Sequence, residues 1–94
     1  MKQIINNKLY DTDTAESLGS CAKGSTQNWN GYEFYRTTKG NLFKERLFWR
    51  CKASGSTNNL SETNEKEMYE LLIEYDAPMD LINILCPNIL IDVA

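Results

Sequence analysis

The stretch Gly31–Lys52, GYEFYRTTKGNLFKERLFWRCK, restricts what this chain can fold into more than any other part of it. Tyr, Phe and Trp favour the pleated, half-buried surface of a strand. Six of them (Tyr32, Phe34, Tyr35, Phe43, Phe48, Trp49) stand on either side of Thr38-Lys39-Gly40-Asn41. Gly and Asn take a positive φ at little cost, so the tetrapeptide predicts a tight turn and its flanks a β-hairpin. With a side-chain period of two, Tyr32, Phe34 and Arg36 share one face of the first strand, and Glu33, Tyr35 and Thr37 the other. Beyond the turn, Phe43, Leu47, Trp49 and Cys51 have one parity, and Leu42, Lys44, Arg46, Phe48, Arg50 and Lys52 the opposite one. One face is therefore predominantly apolar, while the other mixes cations with Leu42 and Phe48. The second half reads either as one strand or, with a break near Lys44-Glu45-Arg46, as two strands of a three-stranded meander.

The flanks supply the remaining elements of a single domain over residues 1–94. Residues 2–10 read as a small hairpin about Asn6-Asn7, since Asn tolerates the left-handed conformation of a two-residue turn. Residues 12–19 read as a short helix, capped by Thr12 or Asp13, with Asp13 and Glu16 in capping-box spacing and Gly19 as terminator. Ser20–Gly31 is polar and rich in Gly, Ser and Asn, which reads as a loop anchored by Trp29. Ala53–Leu60 reads as a connector. Residues 61–76 then carry the clearest helical pattern, capped by Ser61, with Met68, Leu71, Leu72 and Tyr75 at i, i+3, i+4 and i+7. Residues 77–94 are an apolar C-terminal stretch: Pro78 offsets the helix, Asp80–Cys86 forms a last short helix, and Pro87–Val93 runs extended. The apolar end Ile89–Val93 is suited to packing on the core or on a second copy in a homodimer. The expected fold is α+β: a small antiparallel sheet, from the N-terminal hairpin and the central hairpin or meander, with the acidic C-terminal helical segment packed across it.

Charge is distributed unevenly. Residues 1–60 hold nine basic and five acidic side chains, a balance of +4, and residues 61–94 hold one basic and eight acidic, a balance of −7. Either the two halves present separate surfaces to different partners, or one half pairs with the other. The chemistry of a catalyst is missing: there is no histidine, and no Gly-rich phosphate loop or nucleophile elbow occurs. Cys21, Cys51 and Cys86 are odd in number and widely spaced, which fits free thiols in a reducing compartment better than a disulfide framework or a zinc site. No run of about 18 apolar residues is present, so no membrane-spanning helix is expected. MKQIINNKLYD lacks the apolar core of a signal peptide. A cytoplasmic binding protein without cofactor, metal or catalytic residue is the expectation.

Two motifs sharpen it. Ile5, Lys8, Tyr10, Asp11, Thr12, Thr14 and Ala15 match an opening of the form I-[ND]-G-K-x-Y-[DN]-T-[ED]-T-A. Glu33, Tyr35, Arg36, Thr37, Lys39, Gly40 and Phe43 match a later E-x-L-Y-[RK]-T-K-K-G-x-[WFY]-F. In this order and spacing, over about residues 2–45, they resemble a family of small proteins from phages and mobile elements of Gram-positive bacteria, some grouped with anti-CRISPR proteins. Asn7 stands where the family has glycine, and Lys44–Cys51 replaces the H-G-E-G-G type segment. The resemblance implies a stoichiometric inhibitor acting in the bacterial host cell, binding a CRISPR effector protein or ribonucleoprotein and blocking guide or target engagement. The basic hairpin (Arg36, Lys39, Lys44, Arg46, Phe48, Arg50, Lys52) is the expected partner-binding face. The alternative face is acidic (Glu62, Glu65, Glu67, Glu70, Glu74), mimicking nucleic-acid phosphates. A second function class is a nucleic-acid-binding module contacting RNA or DNA through the basic aromatic hairpin, which the acidic pI near 4.9 disfavours.

Overall fold

The computed structural model describes residues 1–25, 27–50 and 59–87, with 49 and 50 as backbone. Eight elements follow in order: β1 (Lys2–Ile5), β2 (Lys8–Asp11), β3 (Glu16–Gly24), β4 (Asn28–Arg36), β5 (Leu42–Arg50), β6 (Asn59–Glu62), α1 (Glu65–Glu74) and α2 (Met79–Leu85). The fold is α+β, with a two-stranded sheet β1-β2 and a four-stranded antiparallel sheet in the order β3-β4-β5-β6.

Both expected turns form, with a positive φ at Asn6, Asn7 and Gly40 but not at Asn41. Asn6 and Asn7 adopt φ of 51° and 62°, the left-handed pair a two-residue hairpin requires. In the central hairpin, Gly40 takes φ 89°, its N–H donates to the Thr37 carbonyl at 2.9 Å, and the Asn41 N–H donates to the Thr37 hydroxyl at 3.0 Å. The register runs from Arg36↔Leu42 at the turn to Asn28↔Arg50 at the far end. Hence β5 is one unbroken strand, and Lys44-Glu45-Arg46 carries no break. The next strand is β6, drawn from the end of the expected connector, which pairs Phe43↔Glu62 through Arg46↔Asn59.

The expected helix over residues 12–19 is absent, and the expected loop from Ser20 to Gly31 is mostly strand. Asp11–Ala15 closes a compact turn: the Asp11 carboxylate accepts the Asp13 N–H at 2.9 Å, and its carbonyl accepts the Ala15 N–H at 3.1 Å. Asp and Thr spend their capping capacity there, as such residues do in turns. The following Ser-Leu-Gly-Ser has little helical preference, and β4 offers it a full ladder. Leu18 is the extra residue of a β-bulge between Ser17↔Tyr35 and Gly19↔Phe34, which turns it onto the core. Gly31 is demanded by close approach: a Cβ there would lie 2.1 Å from the Cys21 carbonyl oxygen. Trp29 is a half-buried strand residue opposite Trp49 in register, not a loop anchor.

The central sheet is covered on both faces. On one, Cys21 and Phe34 meet Met68 and Leu72 of α1, Ile82 and Leu85 of α2, and Cys86. On the other, Tyr35, Phe43 and Leu60 meet Tyr10 of the N-terminal hairpin, with Ile5 and Ala15 at the margin. Phe34, Phe43, Met68 and Leu72 are wholly inaccessible; burying each such side chain contributes about 1.5–3 kcal/mol. Helix α1 begins later than expected: Ser61 lies in β6, and Asn64 is the N-cap, its side chain accepting the Glu67 N–H at 2.8 Å. The last short helix stands where it was expected, at Met79–Leu85. The end of the apolar stretch, residues 88–94, lies outside the described residues.

Candidate interaction surface

The register decides where the cations go. Because Phe34 pairs with Lys44 and Tyr32 with Arg46, the cationic parity of β5 points to the face that α1 and α2 cover. The basic face of the hairpin is thus the floor beneath the acidic helix, and the two charge poles meet.

Lys44 is where they lock. Its side chain is 12% exposed, and its ammonium donates to the Glu67 carboxylate and, at 3.5 Å, to the Glu62 carbonyl. Glu67 also accepts the Thr63 hydroxyl at 2.8 Å. Hydrogen bonds from Lys44 first, then Thr63, hold the Glu67 carboxyl below the usual glutamate range. Lys44 and Glu67, expected on rival partner-binding faces, are therefore spent on each other. Glu62 is not on the helix either. It sits in β6 on the hairpin side, accepting the Tyr10 hydroxyl at 2.6 Å and the Asn6 amide. These two bonds, Tyr10 first, lower its carboxyl pKa.

The other cations separate into two groups. At the turn end, Arg36 pairs with Glu16 at 3.1 Å, both exposed, and Lys39 stands exposed in the turn. Four residues along the ladder, roughly 13 Å away at strand rise, a cation–aromatic cluster forms. Exposed Arg46 lies 5.7 Å from the Tyr32 ring centroid and donates to its hydroxyl at 3.3 Å. Tyr32 packs at 5.8 Å against Tyr75, whose hydroxyl donates to Asn30 at 2.9 Å. Lys23 sits 4.8 Å over the Tyr75 ring and 3.8 Å from Glu74. Burial, then the neighbouring Tyr32, raises the Tyr75 pKa. Half-buried Phe48 lies opposite Asn30 in register, and Arg50 enters as backbone opposite Asn28. Lys52 lies outside the described residues.

Sequence reasoning did not place Lys23, Asn30, Tyr32 and Tyr75 at the interaction surface: Tyr32 was read as a hairpin aromatic and Tyr75 as part of the apolar helix stripe. Tyr32 stands opposite Arg46 only because Asn41 joins the ladder opposite Thr37, one residue tighter than a turn over 38–41 implies. Lys23 and Asn30 were hidden by reading their strands as loop.

On the outside of the helical layer, Glu70 and Glu74 of α1 are exposed together with Asp76 and Asp80. Lys66 is the exposed cation of that layer. Glu65 opens α1, and its carbonyl accepts the Cys86 thiol at 3.6 Å. Cys21 and Cys86 are buried and free. Burial raises both thiol pKa values, Cys86 to about 11, which suits packing rather than reactivity. Among the described residues, no group of three or more Cys, Asp and Glu is placed to hold a metal ion, and no helix is long and apolar enough to cross a membrane. Comparison with known proteins finds no matching family model, no matching curated protein and no matching solved structure.

Proposed function

We propose that the protein is a stoichiometric inhibitor of the anti-CRISPR type. In this reading it acts in the cytoplasm of the bacterial host cell and binds a defence effector by surface complementarity rather than by chemistry. Its working surface is the outer face of α1 and α2. One observation carries the choice of face: the Lys44–Glu67 pair seats α1 on the sheet, so Lys44 is covered and Glu70, Glu74, Asp76 and Asp80 are the outward charge of the helical layer. Such a face competes with nucleic-acid phosphates for a basic channel. Electrostatic complementarity of this kind speeds encounter and fixes register. The two motifs shared with anti-CRISPR-associated proteins support the same class. They form the hairpin turn at Asn6-Asn7, the Asp11 turn and the central hairpin, so they support the scaffold and leave the target to the acidic layer.

A second reading has its own observation. Arg46 over Tyr32, Lys23 over Tyr75 and Phe48 nearby place cations beside aromatic rings, an arrangement suited to phosphate contact and base stacking. Co-purification with a panel of CRISPR effectors, each with and without guide RNA, separates the two. The inhibitor reading requires capture of one effector at fixed stoichiometry, lost in Glu70→Lys/Asp80→Lys and kept in Arg46→Glu. If no effector is captured while free RNA or DNA is shifted, with affinity falling steeply in salt and lost in Arg46→Glu, the nucleic-acid reading replaces it.

A further inference from the structure

The turn that joins α1 to α2 is acidic and apolar at once. Residues 73–80 carry three carboxylates, Glu74, Asp76 and Asp80, and no cation. Ile73 and Met79, on either side of the turn, are 47% and 56% exposed. Along α1, Lys66, Glu70, Ile73 and Glu74 recur at i, i+4, i+7 and i+8 and are all exposed, one outward stripe that leads into the turn. Lys66 stands at its far end. Lys23 approaches Glu74 from β3 at 3.8 Å, whereas Glu70, Asp76 and Asp80 enter no ion pair among the described residues. A single exposed hydrophobic needs no explanation; here two flank one turn whose charge has no use inside the molecule.

We propose that residues 73–80 are a protein-docking element whose partner presents an apolar pocket rimmed by lysine or arginine. The inference rests on the inhibitor reading of the α1–α2 face and names the chemistry its effector shows there. Ile73 and Met79 fill the pocket, methionine being the more adaptable of the two. Glu74, Asp76 and Asp80 meet the basic rim. An apolar centre within a charged border is how protein interfaces are built, and the charge complementarity fixes their register. Nucleic acid and anionic lipid are repelled by the same carboxylates, which leaves a basic protein surface as the occupant.

Asp76 allows recognition to be separated from folding. The turn is closed by two bonds, from the Asp76 N–H to the Ile73 carbonyl at 3.1 Å and from the Ala77 N–H to the Leu72 carbonyl at 2.9 Å. In a helix ending of this kind the left-handed position usually belongs to glycine, yet Asp76 occupies it with φ 54°. Its carboxylate and that of Glu74 also stand at the negative end of α1, with no base in the last turn. Asp76→Gly therefore keeps both closing bonds and favours the fold, while it deletes one charge of the docking rim. A residue that served the turn alone would behave in the opposite way.

The test takes the effector that the full chain captures from the panel of CRISPR effectors. Titration calorimetry measures its affinity for wild type, Asp76→Gly and Ile73→Ser/Met79→Gln, and thermal unfolding gives the Tm of each protein. Asp76→Gly is expected to raise Tm by about 4 °C and to weaken binding about tenfold. The double variant changes two exposed side chains, so it is expected to hold Tm within about 2 °C and to weaken binding at least about tenfold. An effector that binds either variant within about twofold of wild type overturns this inference and leaves the inhibitor reading standing. Binding lost by Asp76→Gly together with a lowered Tm also overturns it, because damage to the turn then accounts for the loss. If no effector of the panel is captured, the inhibitor reading fails and this inference with it.

Discussion

A double-mutant cycle on Lys44 and Glu67 tests the contact that seats the acidic helix on the basic sheet. The two ends of the pair are unequally buried, Lys44 at 12% and Glu67 at 43% exposure. Exposed ion pairs are worth about 0–1 kcal/mol, and hydrogen bonds to charged groups about 1.5–3 kcal/mol. Solvent screening on the Glu67 side discounts the pair toward the lower range, so the expected coupling is about 1 kcal/mol. The single changes should be unequal. Lys44→Met leaves Glu67 with water and the Thr63 hydroxyl, at a cost of about 1 kcal/mol. Glu67→Gln leaves a nearly covered ammonium without its counter-charge and costs more, about 2 kcal/mol. Urea unfolding of wild type, both singles and the double at neutral pH reads all four corners. The Glu67 carboxyl titrates below its ordinary range. Its stabilisation is therefore complete above the unfolded glutamate value and disappears as pH falls through the lowered folded value. Repeating the cycle in acid should abolish the coupling. A coupling under about 0.3 kcal/mol, the scatter of independent sites, would refute the seating argument, as would a coupling unchanged in acid.

Three further outcomes are expected. Gly31→Ala drives a methyl to 2.1 Å from the Cys21 carbonyl oxygen and 2.8 Å from the Ala22 Cα. It should cost at least about 3 kcal/mol in urea unfolding, and a cost under about 1 kcal/mol would mean β3 and β4 do not approach so closely. Glu45 is 6% exposed and lies directly opposite Glu33. Glu45→Gln keeps an acceptor for the Tyr35 hydroxyl, now at 3.4 Å, removes the opposed charge, and should stabilise by about 0.5 kcal/mol; destabilisation beyond about 1 kcal/mol refutes the repulsion. Cys21 and Cys86, buried with raised thiol pKa values, should resist alkylation in the native protein and react fully in urea, read by peptide mass mapping. Fast native labelling of either would contradict its burial.

Legibility tracked the range of the interactions involved. The Asn6-Asn7 and Thr38–Asn41 turns and the apolar stripe of α1 depend on residues within one or two turns of each other, so their residue types announce them. Glu16–Gly24 does not announce itself. Ser-Leu-Gly-Ser-Cys-Ala-Lys-Gly has little preference for any regular structure, and only the β4 ladder makes it a strand. The same holds for Asn59–Glu62, a strand because β5 lies beside it.

The candidate site divides along the same line. Sequence alone determined the parity of the cations on β5, the acidity of the C-terminal helices and the uneven charge of the two halves, because alternation and composition are properties of the chain. Whether the halves meet or face different partners was left open. Tertiary structure decided that they meet, by sending α1 across the face that bears Lys44 and pairing it with Glu67. The decision needed the register of four strands, the bulge at Leu18 and the seating of Met68 and Leu72 on Phe34. It rests on contacts between segments distant in sequence, whose free energies exist only once the whole core is assembled.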